Sequence, residues 1–180
     1  MKVIPTEIPD LLIVEPAVFY DPRGYFYESY NEKKFHEHNI TAKFVQDNLS
    51  KSSKGILRGL HFQKPPYTQG KLVKAIQGSV LDISVDLRKD SPTYGKHVKV
   101  LLSEENQRML WVPEGFAHGF LTLEDNTIFH YKCTNFYNKE ADCSILWNDP
   151  ALGIDWGISN PILSEKDLNG KPLKHFYGLF

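Results

Sequence analysis

Val80-Leu81-Asp82-Ile83-Ser84-Val85-Asp86-Leu87 is the stretch on which the fold reading turns. Leu81, Ile83, Val85 and Leu87 interleave with Val80, Asp82, Ser84 and Asp86. A period of two suits an extended strand, here one with a clearly apolar face. Working outward, similar short segments recur at 11–18, 24–30, 43–49, 57–63 and 71–77 on one side, and at 95–102, 109–113, 119–123, 128–135 and 143–147 on the other. Clusters of Gly, Pro, Asp and Asn separate most of them. About eleven short strands with little room for helices between them predict an all-β sandwich or barrel rather than βαβ units, with a jelly roll as the leading candidate. Two short helices are predicted, 32–38 capped by Asn31 and 165–169 capped by Ser164.

The chain has 180 residues, about one domain's worth, and no linker, low-complexity tract or repeat interrupts it, so residues 1–180 are expected to form one domain. Its 21 Lys and Arg against 22 Asp and Glu exclude a nucleic-acid or membrane-surface binder built on bulk positive charge. A hydrophobic share of 41% with 24% charged residues is that of a globular chain, which removes disordered and fibrous classes. Only two cysteines occur, Cys133 and Cys143. A multi-bridge secreted scaffold is excluded, one disulfide stays arithmetically open, and two reduced thiols are expected. The apolar run 11–14 follows a Pro-containing, acid-bearing segment, unlike a signal peptide or membrane span, so the chain is read as cytoplasmic.

Two motifs point to chemistry. In Arg58-Gly59-Leu60-His61-Phe62-Gln63, strand alternation puts Arg58, Leu60 and Phe62 on one face and Gly59, His61 and Gln63 on the other. A strand histidine alone is as well explained by a hydrogen-bonded core residue. The second motif, Trp111-Val112-Pro113-Glu114-Gly115-Phe116-Ala117-His118-Gly119-Phe120, is a Pro-x-Gly-x-x-His turn, and the pair resembles the two motifs of the cupin superfamily of small jelly-roll barrels. Metal-binding cupins carry His-x-His, a nearby Glu and a later His. Here Gln63 replaces the second His and residues 64–70 hold no carboxylate. His61 and His118 alone fall short of the three protein ligands a catalytic metal wants, so no metal is expected.

Further stretches make the resemblance specific. Phe19-Tyr20-Asp21-Pro22-Arg23-Gly24-Tyr25-Phe26, Phe44-Val45-Gln46-Asp47-Asn48, Gln69-Gly70-Lys71-Leu72-Val73, Trp147-Asn148-Asp149-Pro150 and Leu163-Ser164-Glu165-Lys166-Asp167 join the two motifs in order along essentially the whole chain. Together they resemble the dTDP-4-dehydrorhamnose 3,5-epimerase family. The resemblance implies a dTDP-linked 4-keto-6-deoxysugar substrate, proton removal and return at the two carbons flanking the ketone, and no cofactor. It implies His61 as base, Tyr131 as the acid on the opposite face, Lys71 as the group that steadies the enolate oxygen, and Asp167 as the carboxylate that orients His61. Ser164-x-x-Asp167 also reads as a helix capping box, and both readings stand at this point.

By the same resemblance Arg23, Arg58 and Lys166 meet the pyrophosphate or sugar oxygens. Glu28, Gln46, Asn48 and His118 line the pocket, Tyr137 stacks on the nucleobase, and either Asp142 or Glu140 supplies a nearby carboxylate. A homodimer is implied, with N-terminal strands paired across subunits and residues Arg23 to Phe26 lent to the neighbouring site. His130, adjacent to Tyr131 on a strand, should face away from the site. Three rivals remain. One is a related enzyme that epimerises a single centre or shifts the ketone between C3 and C4; the others are a non-catalytic sugar-binding jelly roll and a metal-dependent cupin.

Overall fold

The computed structural model describes residues 1–180. In chain order its elements are β1 (Lys2–Pro5), β2 (Leu12–Glu15), β3 (Phe19–Asp21), β4 (Gly24–Phe26), α1 (Glu32–His36), β5 (Gln46–Ser52), β6 (Leu57–Gln63) and β7 (Lys71–Gln77). β8 (Ser79–Asp86), β9 (His97–Ser103), β10 (Met109–Val112), β11 (Phe116–Thr122), β12 (Thr127–Cys133), β13 (Asp142–Ser144), α2 (Glu165–Leu168) and a 3-10 turn (Leu173–Phe176) follow. A six-stranded sheet runs β1-β2-β10-β7-β12-β5 and a five-stranded sheet runs β13-β6-β11-β8-β9. All neighbours are antiparallel, and the two sheets pack into a jelly roll.

β8 shows how the alternating pattern is used. Leu121 and Ala117 of β11 join Ile83 and Val85 on the outer face of the five-stranded sheet, where Leu152, Trp156, Leu173 and Phe176 of the C-terminal segment cover them. Each buried Val, Leu, Ile or Phe among them contributes about 1.5–3 kcal/mol. Asp82 and Ser84, opposite Val100 and Val98 of β9, therefore point between the sheets. There Val73 and Phe129 meet Val80, Val98, Val100, Leu102, Phe116 and Phe120. The apolar face thus seals the outside of the barrel and leaves the polar face to furnish its interior.

The expected alternation along β6 fails at one point, which matters for the site. His118 of β11 pairs with His61, but Phe120 pairs with Arg58, so β6 carries one extra residue in this interval. That bulge moves Arg58 onto the face of His61, while Leu60 and Phe62 pack in the outer cluster. Glycine is required there. A Cβ on Gly59, which has φ +132°, would lie 2.4 Å from Gly119 Cα.

Other expectations shift as well. β1 and β3 were not anticipated, and β13 ends at Ser144, beyond which Ile145 still bonds Leu60 of β6 through the backbone and adds a parallel bridge to Lys171. β5 starts late and runs on through Ser50 and Ser52, polar residues that a hydrophobic pattern does not mark as strand. Helix α1 stops at His36, since Asn39 with φ 62° turns the chain so that Ile40 N bonds Phe35 O. Both cysteines are free thiols, and no helix is long and apolar enough to cross a membrane.

Candidate active site

Two cavities open between the sheets, one of about 370 Å³ and one of about 220 Å³. They share His61, Lys71 and Tyr131. Strand register explains this: Tyr131 of β12 stands opposite Asn48 of β5, Cys133 stands opposite Lys71 of β7, and His61 faces in from the other sheet beside His118. The larger cavity adds Gln46, Asn48, Tyr137, Asp142 and Lys166. The smaller adds Arg58, His118, Ser164 and Asp167.

His61 Nε2 lies 2.5 Å from Asp167 Oδ1. An ionised carboxylate at that distance needs a donor, so Nε2 carries the proton and Nδ1 keeps its lone pair. Burial pushes the His61 imidazole below its ordinary range, and the Asp167 hydrogen bond only partly restores its basicity. Burial alone would raise the Asp167 carboxyl, yet hydrogen bonds from His61 and Ser164 outweigh it and hold the carboxyl low. The pair is therefore a neutral imidazole beside an anionic carboxylate at neutral pH. Asp167 serves the helix as well: Ser164 Oγ accepts from the Asp167 backbone N–H at 3.2 Å and donates to its Oδ2 at 2.8 Å. The helix cap and the bond to His61 therefore coexist in one geometry.

Lys71 is 9% exposed, and the carboxylates of Asp142 and Asp82 act on it only through space. Burial lowers its affinity for the proton. An ammonium buried without a paired carboxylate is suited to an incoming oxyanion. Burial raises the Tyr131 phenol, helped by nearby Cys133 and Asp142 and opposed by Arg58, so the hydroxyl stays protonated.

Arg58 donates through Nε to Ser52 Oγ at 3.1 Å, which fixes the stem of its guanidinium beside the cavity. His118 donates from Nε2 to Asp82 Oδ2 at 2.8 Å and its ring stacks on Phe129. Asp142 accepts from Lys166 Nζ at 2.5 Å and from the Tyr137 hydroxyl at 3.2 Å. Of the two acids left open by the sequence, Asp142 reaches the cavity, whereas Glu140 is exposed outside it. His130 turns outward toward Asp47.

Arg23, Phe26 and Glu28 are not brought to this site. Arg23 pairs with Asp21 at the tip of the exposed β3-β4 hairpin, Phe26 is 68% exposed on it, and Glu28 bonds Asn31 and Lys34. Sequence reading missed Asp82, the partner of His118, although its place on the polar face of β8 was a usable signal. It also missed the structural use of Gln63 and Gln69. Gln63 Nε2 donates to Tyr67 O at 2.7 Å and to Phe136 O at 3.1 Å, and its Oε1 accepts from Asn138 N at 2.6 Å. Both ends of that amide are occupied. No group of three His, Cys, Asp or Glu side chains is arranged to hold a metal ion.

Comparison with known proteins adds to this geometry. Residues 5–175 match the family model described as dTDP-4-dehydrorhamnose 3,5-epimerase. A Shigella flexneri protein of that name is 58% identical over 172 residues, covering 95% of this chain and 95% of its own. The crystal structure of a dTDP-6-deoxy-D-glucose-3,5-epimerase from Legionella pneumophila, in complex with dTDP-4-keto-L-rhamnose, is 46% identical and superposes with a TM-score of 0.94, covering 99% of this chain and 98% of that one. A 3'-monoepimerase from Streptomyces bikiniensis, in complex with dTDP-quinovose, is 31% identical with a TM-score of 0.89, covering 94% and 87%. The jelly roll is accordingly of the cupin type. With a family model spanning nearly its whole length and relatives above half identity, this chain belongs to the dTDP-4-dehydrorhamnose 3,5-epimerase family.

Proposed function

We propose that the chain converts dTDP-4-keto-6-deoxyglucose to dTDP-4-keto-rhamnose, inverting C3 and C5 by proton removal and return. The observation that carries this reading is the meeting of both cavities at His61, Lys71 and Tyr131. The ketone acidifies the C–H bonds on its two neighbours. His61 Nδ1 takes the proton, the C–H electron pair moves into the carbonyl to form an enolate, and Lys71 Nζ donates a hydrogen bond to the enolate oxygen. Tyr131 then gives its proton to the other face of the same carbon, and solvent restores the phenol and the imidazole. Arg58 and Lys166 hold the pyrophosphate, and Tyr137 faces the nucleobase.

No cofactor is needed, because the ketone itself accepts the electron pair and no net oxidation occurs. The reading is metal-independent, supported by the engagement of Gln63 by backbone groups. A single catalytic domain, a cytoplasmic setting and a homodimer complete it. Two free thiols support a reducing compartment. The β3-β4 hairpin supports the dimer: Phe19, Tyr20, Tyr25 and Phe26 are each more than half exposed on it, an apolar patch fit to enter a second copy and carry Arg23, Phe26 and Glu28 to that copy's cavity. Phe26→Asp should then shift the sedimenting species to monomer, and an unchanged species would remove the dimer from the account.

The test of the reaction is incubation with dTDP-4-keto-6-deoxyglucose in deuterated water, followed by NMR. Deuterium at both C3 and C5 with inverted configuration is the expected result. Label at one carbon alone would make this a single-centre enzyme, and a displaced ketone an isomerase.

A further inference from the structure

We infer that Gln63, aided by Gln69, is a positioning residue that sets affinity for the nucleotide end of the substrate by clamping the arm that presents Tyr137. This rests on the reading of Tyr137 as the nucleobase platform. The arm, residues 134–141 between β12 and β13, forms neither helix nor strand. Four consecutive residues of it are tied through the backbone to glutamine side chains. Asn135 O accepts from Gln69 Nε2 at 2.7 Å, and Phe136 O accepts from Gln63 Nε2 at 3.1 Å. Tyr137 N donates to Gln46 Oε1 at 3.0 Å, and Asn138 N donates to Gln63 Oε1 at 2.6 Å.

Packing does not hold this arm, since Phe136 is 65% and Tyr137 57% exposed. The glutamines do. Gln63 is 4% exposed and its other donor bond, to Tyr67 O, ties in the preceding loop. A glutamine suits the place because it alone offers two donors and an acceptor at that reach. Glutamate would face two carbonyl oxygens without a proton to give, and the imidazole of a metal-binding cupin has neither the length nor the donor count. The clamp ends at chemistry: Tyr137 hydroxyl and Lys166 Nζ converge on Asp142. An arm held before binding spares the ligand the cost of ordering it, so releasing it should weaken nucleotide binding more than it slows the proton transfers at His61 and Tyr131.

The experiment measures thymidine diphosphate affinity by calorimetry, kcat and KM, and amide hydrogen exchange at residues 135–138. It compares wild type with Gln63→Ala, Gln63→Glu and Gln69→Ala. The expected result is a Kd and KM raised about tenfold or more, a kcat altered less than about threefold, and faster exchange at Tyr137 and Asn138. Gln69 lies nearer the surface than Gln63, so its variant keeps the test open should the Gln63 variants fold poorly. A purely structural role would lower the melting temperature and leave Kd alone. Variants that bind thymidine diphosphate as wild type does would overturn the positioning role and leave the reaction intact. A wild type that binds no thymidine diphosphate would overturn the substrate reading and this inference together.

Discussion

Asp167→Asn removes one charge while keeping the shape of the side chain. The Ser164 hydroxyl caps the helix through the Asp167 backbone N–H, a bond that survives the substitution. What is lost is the charge on the acceptor of the 2.5 Å bond from His61, together with the second acceptor oxygen, so the 2.8 Å contact with Ser164 Oγ must reverse its direction. The difference between a charge-assisted and a neutral hydrogen bond is about 1 kcal/mol, which lowers Tm by roughly 2–4 °C in a chain of this size. The rate should suffer far more. An uncharged amide stabilises neither the required tautomer nor the imidazolium, and the loss should reach about 10²-fold or more of what a positioned base supplies. The acid limb of kcat/KM against pH should also move. Burial already sets the His61 pKa below 6.5, and Asp167 is what raises it, so the variant's limb should lie at still lower pH. Ser164→Ala, by contrast, removes the cap, costs about 1 kcal/mol, and should keep the rate within about tenfold. Kinetic pH profiles beside thermal melts decide the matter. An Asp167→Asn enzyme with a near-normal rate per folded molecule and an unmoved acid limb would refute the dyad.

Asp86 is fully buried and, although burial pushes its carboxyl up, hydrogen bonds from Arg88, Ser91 and Thr93 hold it at about 2. Its contribution, about 2 kcal/mol, should be complete above pH 3.8 and vanish as pH falls through about 2, a slope that denaturant melts of Asp86→Asn should lack. Exhaustive chelation should leave turnover unchanged, and a loss restored by one divalent ion would favour a metal-dependent cupin. Gly59→Ala forces a Cβ to 2.4 Å from Gly119 Cα and should cost on the order of 3 kcal/mol or more. A melt within about 2 °C of wild type would show the bulge to be adaptable.

Much of the fold was legible because alternation reports strands directly: 57–63 and 71–77 match β6 and β7 to the residue. β5 was misplaced because Ser50 faces a polar cavity and Ser52 accepts from Arg58, so the inward side of the strand carries no hydrophobic signal. The face of Arg58 was misread because a bulge depends on how Gly59 meets Gly119 across the sheet, a contact between distant segments. The family resemblance singled out His61, Lys71, Tyr131 and Asp167, and all four line the smaller cavity. The resemblance implied that Arg23, Phe26 and Glu28 meet substrate, with Arg23 to Phe26 lent to a neighbouring copy, and in this chain the hairpin that carries Arg23 and Phe26 turns away from its own cavity. The roles of Asp82 and Gln63 were missed for another reason: a buried polar side chain announces its use only through its partners, His118 in one case and a loop backbone in the other.

In this mechanism His61 and Tyr131 act on opposite faces of one sugar, and Tyr131→Phe in deuterated water separates the two roles. The ring keeps the pocket filled, so only the hydroxyl is removed. His61 and Lys71 remain, the enolate should form, and His61 should return a solvent-derived proton to the face from which it came. Deuterium should therefore enter at C3 or C5 of the recovered substrate while inversion falls by about 10²–10⁴-fold. Inversion at the wild-type rate would contradict the account and place the acid elsewhere in the cavity.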